Sequence, residues 1–375
     1  MDQVNVLIVG GGIIGCAIAN ELSGRWHGVF LVEQLPKLGM ATSSRNSGVI
    51  HSGIYYPKNS LKARHCLEGN QLTYEFCAAH NVPHKRTGKL VVAVHDHETE
   101  ELMALKARGE ANGVEGIRVL DSRGIRAREP HISGKAALEI PSTGVCAAEE
   151  MVRAHARIAA ERGVHILPRA RVAGLDANGK CVHVTLEVGE PGAAETETVE
   201  TRCLVNAAGL YADEVAALLG NRSWTIYPVR GEYCEIRGPK AALLNGPVYP
   251  MPHPDVLSLG VHFTTTVWGT VLVGPSATYV DGKNNYERDR LSIADFAKSA
   301  KELLPEITES DLQLGYSGLR PKLVAPGTKG QADFVITHDE RVPQAIHLVG
   351  MESPGLTAAP SVARQVASMV AEVLR

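Results

Sequence analysis

Gly10-x-Gly12-x-x-Gly15 lies between an apolar run, Val4–Val9, and a run of small and apolar residues that begins at Ile13; Glu33 follows 18 residues after Gly15. These residue types at this spacing suit a dinucleotide. Gly10 permits a tight turn, Gly12 lets the backbone approach a pyrophosphate, and Gly15 lets a helix pack close to the preceding strand. The helix start offers unpaired N–H groups and a positive partial charge to the phosphates. Glu33 can accept both ribose hydroxyls of an adenosine, and an acid at that place disfavours NADP. Ile13, Ile14 and Gln34 adjoin these groups and belong to the expected cradle.

Other chemistries leave no trace. The seven cysteines are scattered, with no Cys-x-x-Cys pair, so neither a disulfide framework nor a zinc site is expected, and a reducing, cytoplasmic compartment is the simplest reading. His95, His97 and His253 do not form metal-ligand spacing, and no Ser-His-Asp order or P-loop is visible. The net charge of -3, without a basic patch interleaved with aromatics, argues against nucleic acid. No apolar run reaches the roughly 18 residues of a membrane span, although peripheral contact at an inner membrane is compatible with the sequence. A strand begins almost at the first residue, leaving no room for a signal peptide.

The elements that must carry the motif are legible in the pattern. Val4–Val9 reads as a buried parallel strand, Ile13–Leu22 as a helix and Val29–Glu33 as a second buried strand, one βαβ unit. A polar segment rich in Gly and Ser, Gly39 to Gly53, is long for a connection, and such loops are usually functional. Helices are expected over Ser60–His80, Glu98–Asn112, Glu149–Arg162, Asp213–Leu219 and Leu291–Leu304, and strands over Lys89–Val94, His165–Leu167 and Cys203–Asn206. The chain closes with a strand, Ala345–Val349, a turn, Gly350–Gly355, and a helix from about Thr357 to Leu374. With 375 residues, 44% of them hydrophobic and 21% charged, the chain is globular and long enough for two domains. Nucleotide-domain signals at both ends and in the middle favour interleaved domains over consecutive ones.

The spacing alone does not separate FAD from NAD. The run Gly39-Met40-Ala41-Thr42-Ser43-Ser44-Arg45-Asn46-Ser47-Gly48-Val49-Ile50-His51-Ser52-Gly53-Ile54-Tyr55-Tyr56 resembles the signature loop of the D-amino-acid-oxidase flavoprotein superfamily, and most resembles the L-2-hydroxyglutarate dehydrogenase/oxidase family. Further matching stretches are Pro228–Tyr233, Leu259–Thr264, Gly274–Ala277, Ser317–Pro321, Asp333–Ile336 and Glu352–Thr357. Two features depart from the family: Arg45 stands where many members carry His, and the segment between about 280 and 317 is shorter.

The resemblance implies FAD as the cofactor and assigns roles. Ser43, Ser44, Arg45, Asn46 and Ser47 would line the pyrophosphate and flavin, with Gly318 near them. Val172 would hold the adenine through its backbone. Ala207, Ala208 and Gly209 would let the chain pass close to the dinucleotide. Gly355, Leu356 and Thr357 open the last helix, whose N–H groups would stabilise the negative charge that develops on the flavin ring on reduction. Arg320 and Arg230 are the candidates to clamp a substrate carboxylate, since a guanidinium fork binds it with two hydrogen bonds. His51 and His262 are the candidates to accept the hydroxyl proton. In some related flavoproteins a histidine in a loop like that of His51 is joined covalently to the flavin. Tyr56, Tyr233 and Tyr249 could add hydroxyl donors.

The expected fold is α/β: a Rossmann-type, glutathione-reductase-like FAD domain (1–86, 145–215, 318–375) interleaved with a β-rich α+β substrate domain (87–144, 216–317). The expected reaction is oxidation of an (S)-2-hydroxy acid, foremost L-2-hydroxyglutarate, to the 2-oxo acid by hydride transfer to flavin N5, with a quinone or oxygen as final electron acceptor. The alternatives are an amino acid or sarcosine/glycine-type oxidase on the same fold, and a nucleotide-sensing module without catalysis.

Overall fold

The computed structural model describes residues 2–190, 192–252 and 260–375, so His253 and Leu259 lie outside the described residues. The chain divides into two compact units: Met1–Ser44, Ala148–Pro228 and Arg320–Arg375 make the first, and Arg45–Ala147 with Val229–Leu319 make the second.

In the first unit, five strands run parallel in the order His165–Pro168, Val29–Glu33, Asp2–Val9, Glu195–Asn206 and Ala345–Val349. Val6, Ile8, Val29, Leu31 and Leu204 are almost wholly buried, which is why the two central strands Asp2–Val9 and Val29–Glu33 and the end of Glu195–Asn206 read as largely apolar rather than alternating. Val335–His338 extends the sheet antiparallel to Ala345–Val349. The strands Ala170–Asn178 and Cys181–Val188 extend it antiparallel from the first half of Glu195–Asn206. Helix Ile13–Ser23 packs against helices Ala148–Glu161 and Gly355–Leu374. It is buried along Ile13–Ala19, so it has no solvent-facing stripe over its first two turns.

The second unit is built on a nine-stranded sheet. Its path runs Thr278–Tyr279, Tyr227–Ile236, Val271–Gly274, His262–Thr265, Val248–Pro250, Lys89–Ala93, Ala136–Ile140 and Arg118–Asp121, and Leu312–Lys322 pairs with Tyr227–Ile236. Side chains alternate across it. Leu90 and Val92 join a core with Phe263, Val273 and Phe296, whereas Val91 and Ala93 join one with Ile54, Tyr55 and Tyr249.

The sequence-based boundary at residue 86 moves to 44. Val49–Ile50 and His84–Lys85 both pair with Gly144–Cys146 in a small sheet of the second unit. Strands two residues long have no periodicity to read, so this tie between 45–86 and the second unit was invisible in the pattern. The other boundaries fall at 147, 228 and 319 instead of 144, 215 and 317.

Candidate functional site

The glycine motif of the first unit is under close steric constraint. Gly10 has φ of +108°, and a Cβ there would stand 2.4 Å from the Ala207 carbonyl oxygen. A Cβ on Gly15 would stand 1.9 Å from the Gly10 carbonyl oxygen. Gly12, just before the helix, would meet only the Ser43 hydroxyl, at 3.1 Å. Two glycines therefore close the turn, and the third keeps open the approach to the helix N-terminus. Ser43 Oγ accepts the Ile13 N–H at 2.9 Å, which fixes the start of the polar loop over that same terminus. The side chains of Ile13 and Ile14 are buried, while Gln34 is exposed.

Glu33 ends the second strand almost fully buried. Its Oε2 accepts the Gly11 N–H and its Oε1 the Leu35 N–H, both at 2.8 Å. A carboxylate has about four acceptor sites, and the N–H groups of Gly11, Leu35 and Gln34 take three, leaving about one for a ribose hydroxyl. Burial raises the pKa of Glu33, and the hydrogen bonds from Leu35, Gly11 and Gln34 oppose that rise.

Strand Glu195–Asn206 ends at a turn in which the Ala207 N–H donates to the Val9 carbonyl at 2.9 Å and Gly209 has φ of +57°. The turn is braced by polar groups that sequence reasoning missed. Asn206 Nδ2 lies 2.7 Å from the Ala212 carbonyl and 3.0 Å from His347 Nδ1, and His347 Nε2 lies 3.2 Å from Asp339. Burial lowers the pKa of His347 against the pull of Asp339. The one available signal was a histidine in the otherwise apolar strand Ala345–Val349, in register with Asn206. The Val172 side chain is buried in the core, and the ladder is interrupted between Val172 and Gly174, leaving an unpaired stretch of backbone beside it. No side chain caps helix Gly355–Leu374 at Pro354, so the first turn carrying Leu356 and Thr357 lacks such a cap.

The two candidate clamps differ sharply. Arg320, in the first unit, is half-buried, and its guanidinium has no hydrogen-bond or ion-pair partner among the described residues. Arg230, in the second unit, is 1% exposed and has four of its five N–H donors engaged. Its Nε donates to Glu232 at 3.1 Å, its Nη2 to the Asp289 carbonyl at 2.8 Å, and its Nη1 to Asn285 and to the Arg288 carbonyl. Glu232, itself fully buried, also accepts from Arg290 Nε at 3.1 Å. Arg230 is a brace for the 285–290 loop, with one N–H left where the expected clamp would use two.

The remaining candidates, apart from Ser44 at the end of the first unit's opening segment, belong to the second unit. Arg45 donates to the Ser317 carbonyl at 3.3 Å and lies over the Tyr286 ring at 4.4 Å. Asn46 accepts the Gly48 N–H through Oδ1 at 2.8 Å and the Tyr316 hydroxyl through its carbonyl at 2.7 Å. A Cβ on Gly318 would stand 2.0 Å from the Arg45 carbonyl oxygen, so glycine there allows the strand to pass this loop. Ser44 and Ser47, on either side, are half-buried. His51 is partly exposed, and its carbonyl accepts from Asn70 Nδ2 at 2.9 Å and from the Cys66 thiol at 3.5 Å. His262 is buried, its Nδ1 is 2.8 Å from the Gly260 carbonyl, and its ring stacks on Tyr249 with centroids 3.7 Å apart. Tyr56 and Tyr233 are buried as well.

Residues 5–369 match the family described as FAD dependent oxidoreductase (DAO). This chain belongs to that family. The cofactor of the flavoenzyme is FAD, and the glycine turn and the Glu33 carboxylate are groups that fit it. Over 99% of its length the flavoenzyme is 32% identical to a protein of Nematostella vectensis named mitochondrial L-2-hydroxyglutarate dehydrogenase, of which it covers 91%. It is 31% identical, over 98% of its length and 93% of the relative, to L-2-hydroxyglutarate dehydrogenase of Escherichia coli K12. Among solved structures it is similar to the L-α-glycerophosphate oxidase of Mycoplasma pneumoniae with FAD bound, with a TM-score of 0.89, 29% identity, and 99% of this chain and 95% of that one covered. No helix among the described residues is long and apolar enough to cross a membrane.

Proposed function

We propose that the flavoenzyme oxidises L-2-hydroxyglutarate to 2-oxoglutarate. The observation that carries this reading is the likeness, over nearly the whole of each chain, to L-2-hydroxyglutarate dehydrogenases of an animal and a bacterium. FAD, when bound, supplies the two-electron acceptor for the hydride that leaves the α-carbon. The chain's residues must then hold the acid and take the hydroxyl proton.

Arg320 is the proposed clamp. Its guanidinium is uncommitted among the described residues, and its planar fork suits a carboxylate. His51 and His262 are the proposed proton acceptors. Nδ1 of His262 faces a carbonyl, so the proton sits on Nδ1 and Nε2 is the basic atom. The ring of His51 is partly exposed on a segment whose backbone is held by Asn70. Seven free thiols support a reducing compartment. A cytoplasmic location, with contact at the inner membrane and a quinone or oxygen as acceptor, completes the proposal.

A steady-state assay with a dye as electron acceptor tests it. Turnover of L-2-hydroxyglutarate, with little for its D-isomer, glycine or sarcosine, is expected. Turnover of glycine or sarcosine without any of L-2-hydroxyglutarate would overturn the reading in favour of an amine oxidase.

A further inference from the structure

Lys89 is an anomaly in the second unit. It opens strand Lys89–Ala93 and is 2% exposed. Its ammonium is buried without a hydrogen-bond partner, and no carboxylate pairs with it among the described residues. Such a group is costly, because a buried charge without a partner loses its hydration, and a methionine would fill the same space without that loss. Two aromatic faces take the place of a counter-ion: Nζ lies 4.3 Å from the centroid of Tyr55 and 4.7 Å from that of Tyr249. Cations at such distances are attracted to the negative face of the ring.

The cage meets one of the histidines considered as proton acceptors, His262. Tyr249 carries the His262 ring stacked at 3.7 Å. A ring at that distance covers the face it lies on, so the ammonium and the imidazole take opposite faces of Tyr249. On another side lies the Cys66 thiol, kept neutral by burial, which donates to the His51 carbonyl. The titratable groups around the ammonium are therefore Cys66, Tyr55 and Tyr249, with Tyr56 beside Tyr55 and His262 behind Tyr249.

We propose that Lys89 is a positioning residue for the oxidation, whose ammonium fixes Tyr249 and Tyr55 and keeps the imidazole behind Tyr249 neutral and able to accept a proton. A cation close to an imidazole disfavours a second positive charge. Burial brings Lys89 down to about 7, so its charge is largely present on the acid side, where imidazoles titrate. The role rests on the proposed function, since a neutral histidine matters only if one accepts the substrate's proton.

The test compares the FAD-loaded wild type with Lys89→Met and Lys89→Arg in anaerobic flavin reduction by L-2-hydroxyglutarate across pH. A parallel histidine NMR titration is assigned with His51→Gln and His262→Gln. In Lys89→Met the acid limb of the rate profile should move up by about one pH unit, the rate loss approaching tenfold at pH values well below the limb, and the His262 resonance should titrate correspondingly higher. Lys89→Arg, always charged, should keep the wild-type limb. An unmoved limb and an unmoved His262 titration in Lys89→Met would overturn the role. If both histidine variants reduce flavin at the wild-type rate, the proton-acceptor reading fails by itself. The NMR titration then decides on Lys89 alone: a shift supports its electrostatic action and no shift overturns it.

Discussion

The carboxylate of Glu33 accepts the N–H of Gly11 at 2.8 Å, tying the end of the second strand to the turn that opens the first helix. The acid that would read the ribose thus also holds the turn that would carry the pyrophosphate. Protonation of Glu33 reduces the acceptor capacity left for a ribose hydroxyl beyond the bonds from Gly11, Leu35 and Gln34. Burial raises its pKa above the ordinary value of 4.5, so protonation on acidification begins earlier than for an exposed glutamate. FAD affinity should therefore fall as pH falls toward the raised value, whereas Glu33→Gln should bind FAD more weakly by about tenfold at pH 7 and show no such dependence. Fluorescence titration of apoprotein with FAD from pH 7.5 to 5 measures both. An identical acid dependence in the variant would show that another group controls it.

Arg230 and Arg320 should separate cleanly on mutation. Replacing Arg230 with Met leaves buried Glu232 with only Arg290 as its charged partner, and breaking a buried ion-pair network costs about 3–5 kcal/mol. Arg230→Met should therefore melt many degrees lower. Arg320→Met removes a group with no partner among the described residues, so melting should hardly change. Its KM for L-2-hydroxyglutarate should instead rise by about a hundredfold, in keeping with the loss of a bidentate charged contact. Thermal denaturation and steady-state kinetics on the two variants decide the matter.

Lys89 also predicts a pH dependence of stability. Its pKa is depressed from 10.5 to about 7 in the fold, so between these values the unfolded chain binds the proton more readily than the folded one. The stability of the folded state should then rise with pH over that window. The penalty is full below pH 7 and gone above pH 10.5. Lys89→Met should be the more stable protein at pH 6, by a few kcal/mol, with the gap narrowing steadily as pH rises. Denaturant unfolding of both proteins at pH 6, 8 and 9.5 reads this directly, and a gap independent of pH would contradict the buried ammonium.

The dinucleotide cradle was readable because its strands are buried on both faces and its glycines answer local steric demands. Val4–Val9, broken only by Asn5, and Val29–Val32 appear as apolar runs, and Gly10 and Gly15 stand where any side chain would strike backbone. Helix Leu61–Ala79 was found within a residue of its expected ends, helped by Ser60, whose hydroxyl accepts the Ala63 N–H. What stayed hidden depends on partners distant in the chain. Arg230 looked like a substrate clamp because its sequence neighbours do not reveal the 285–290 loop that takes its donors. Lys89 looked like the polar start of a strand, since only the fold brings Tyr55 and Tyr249 over it. The Asn206–His347 contact arises from two parallel strands far apart in sequence.

The central claim is that FAD held by this chain takes hydride from a 2-hydroxy acid with two carboxylates. The most direct measurement is anaerobic titration of the yellow holoprotein with L-2-hydroxyglutarate, following the flavin absorbance and assaying the product. Complete bleaching, with one 2-oxoglutarate formed per flavin, is expected. Flavin that stays yellow with L-2-hydroxyglutarate, yet bleaches with dithionite, would contradict it.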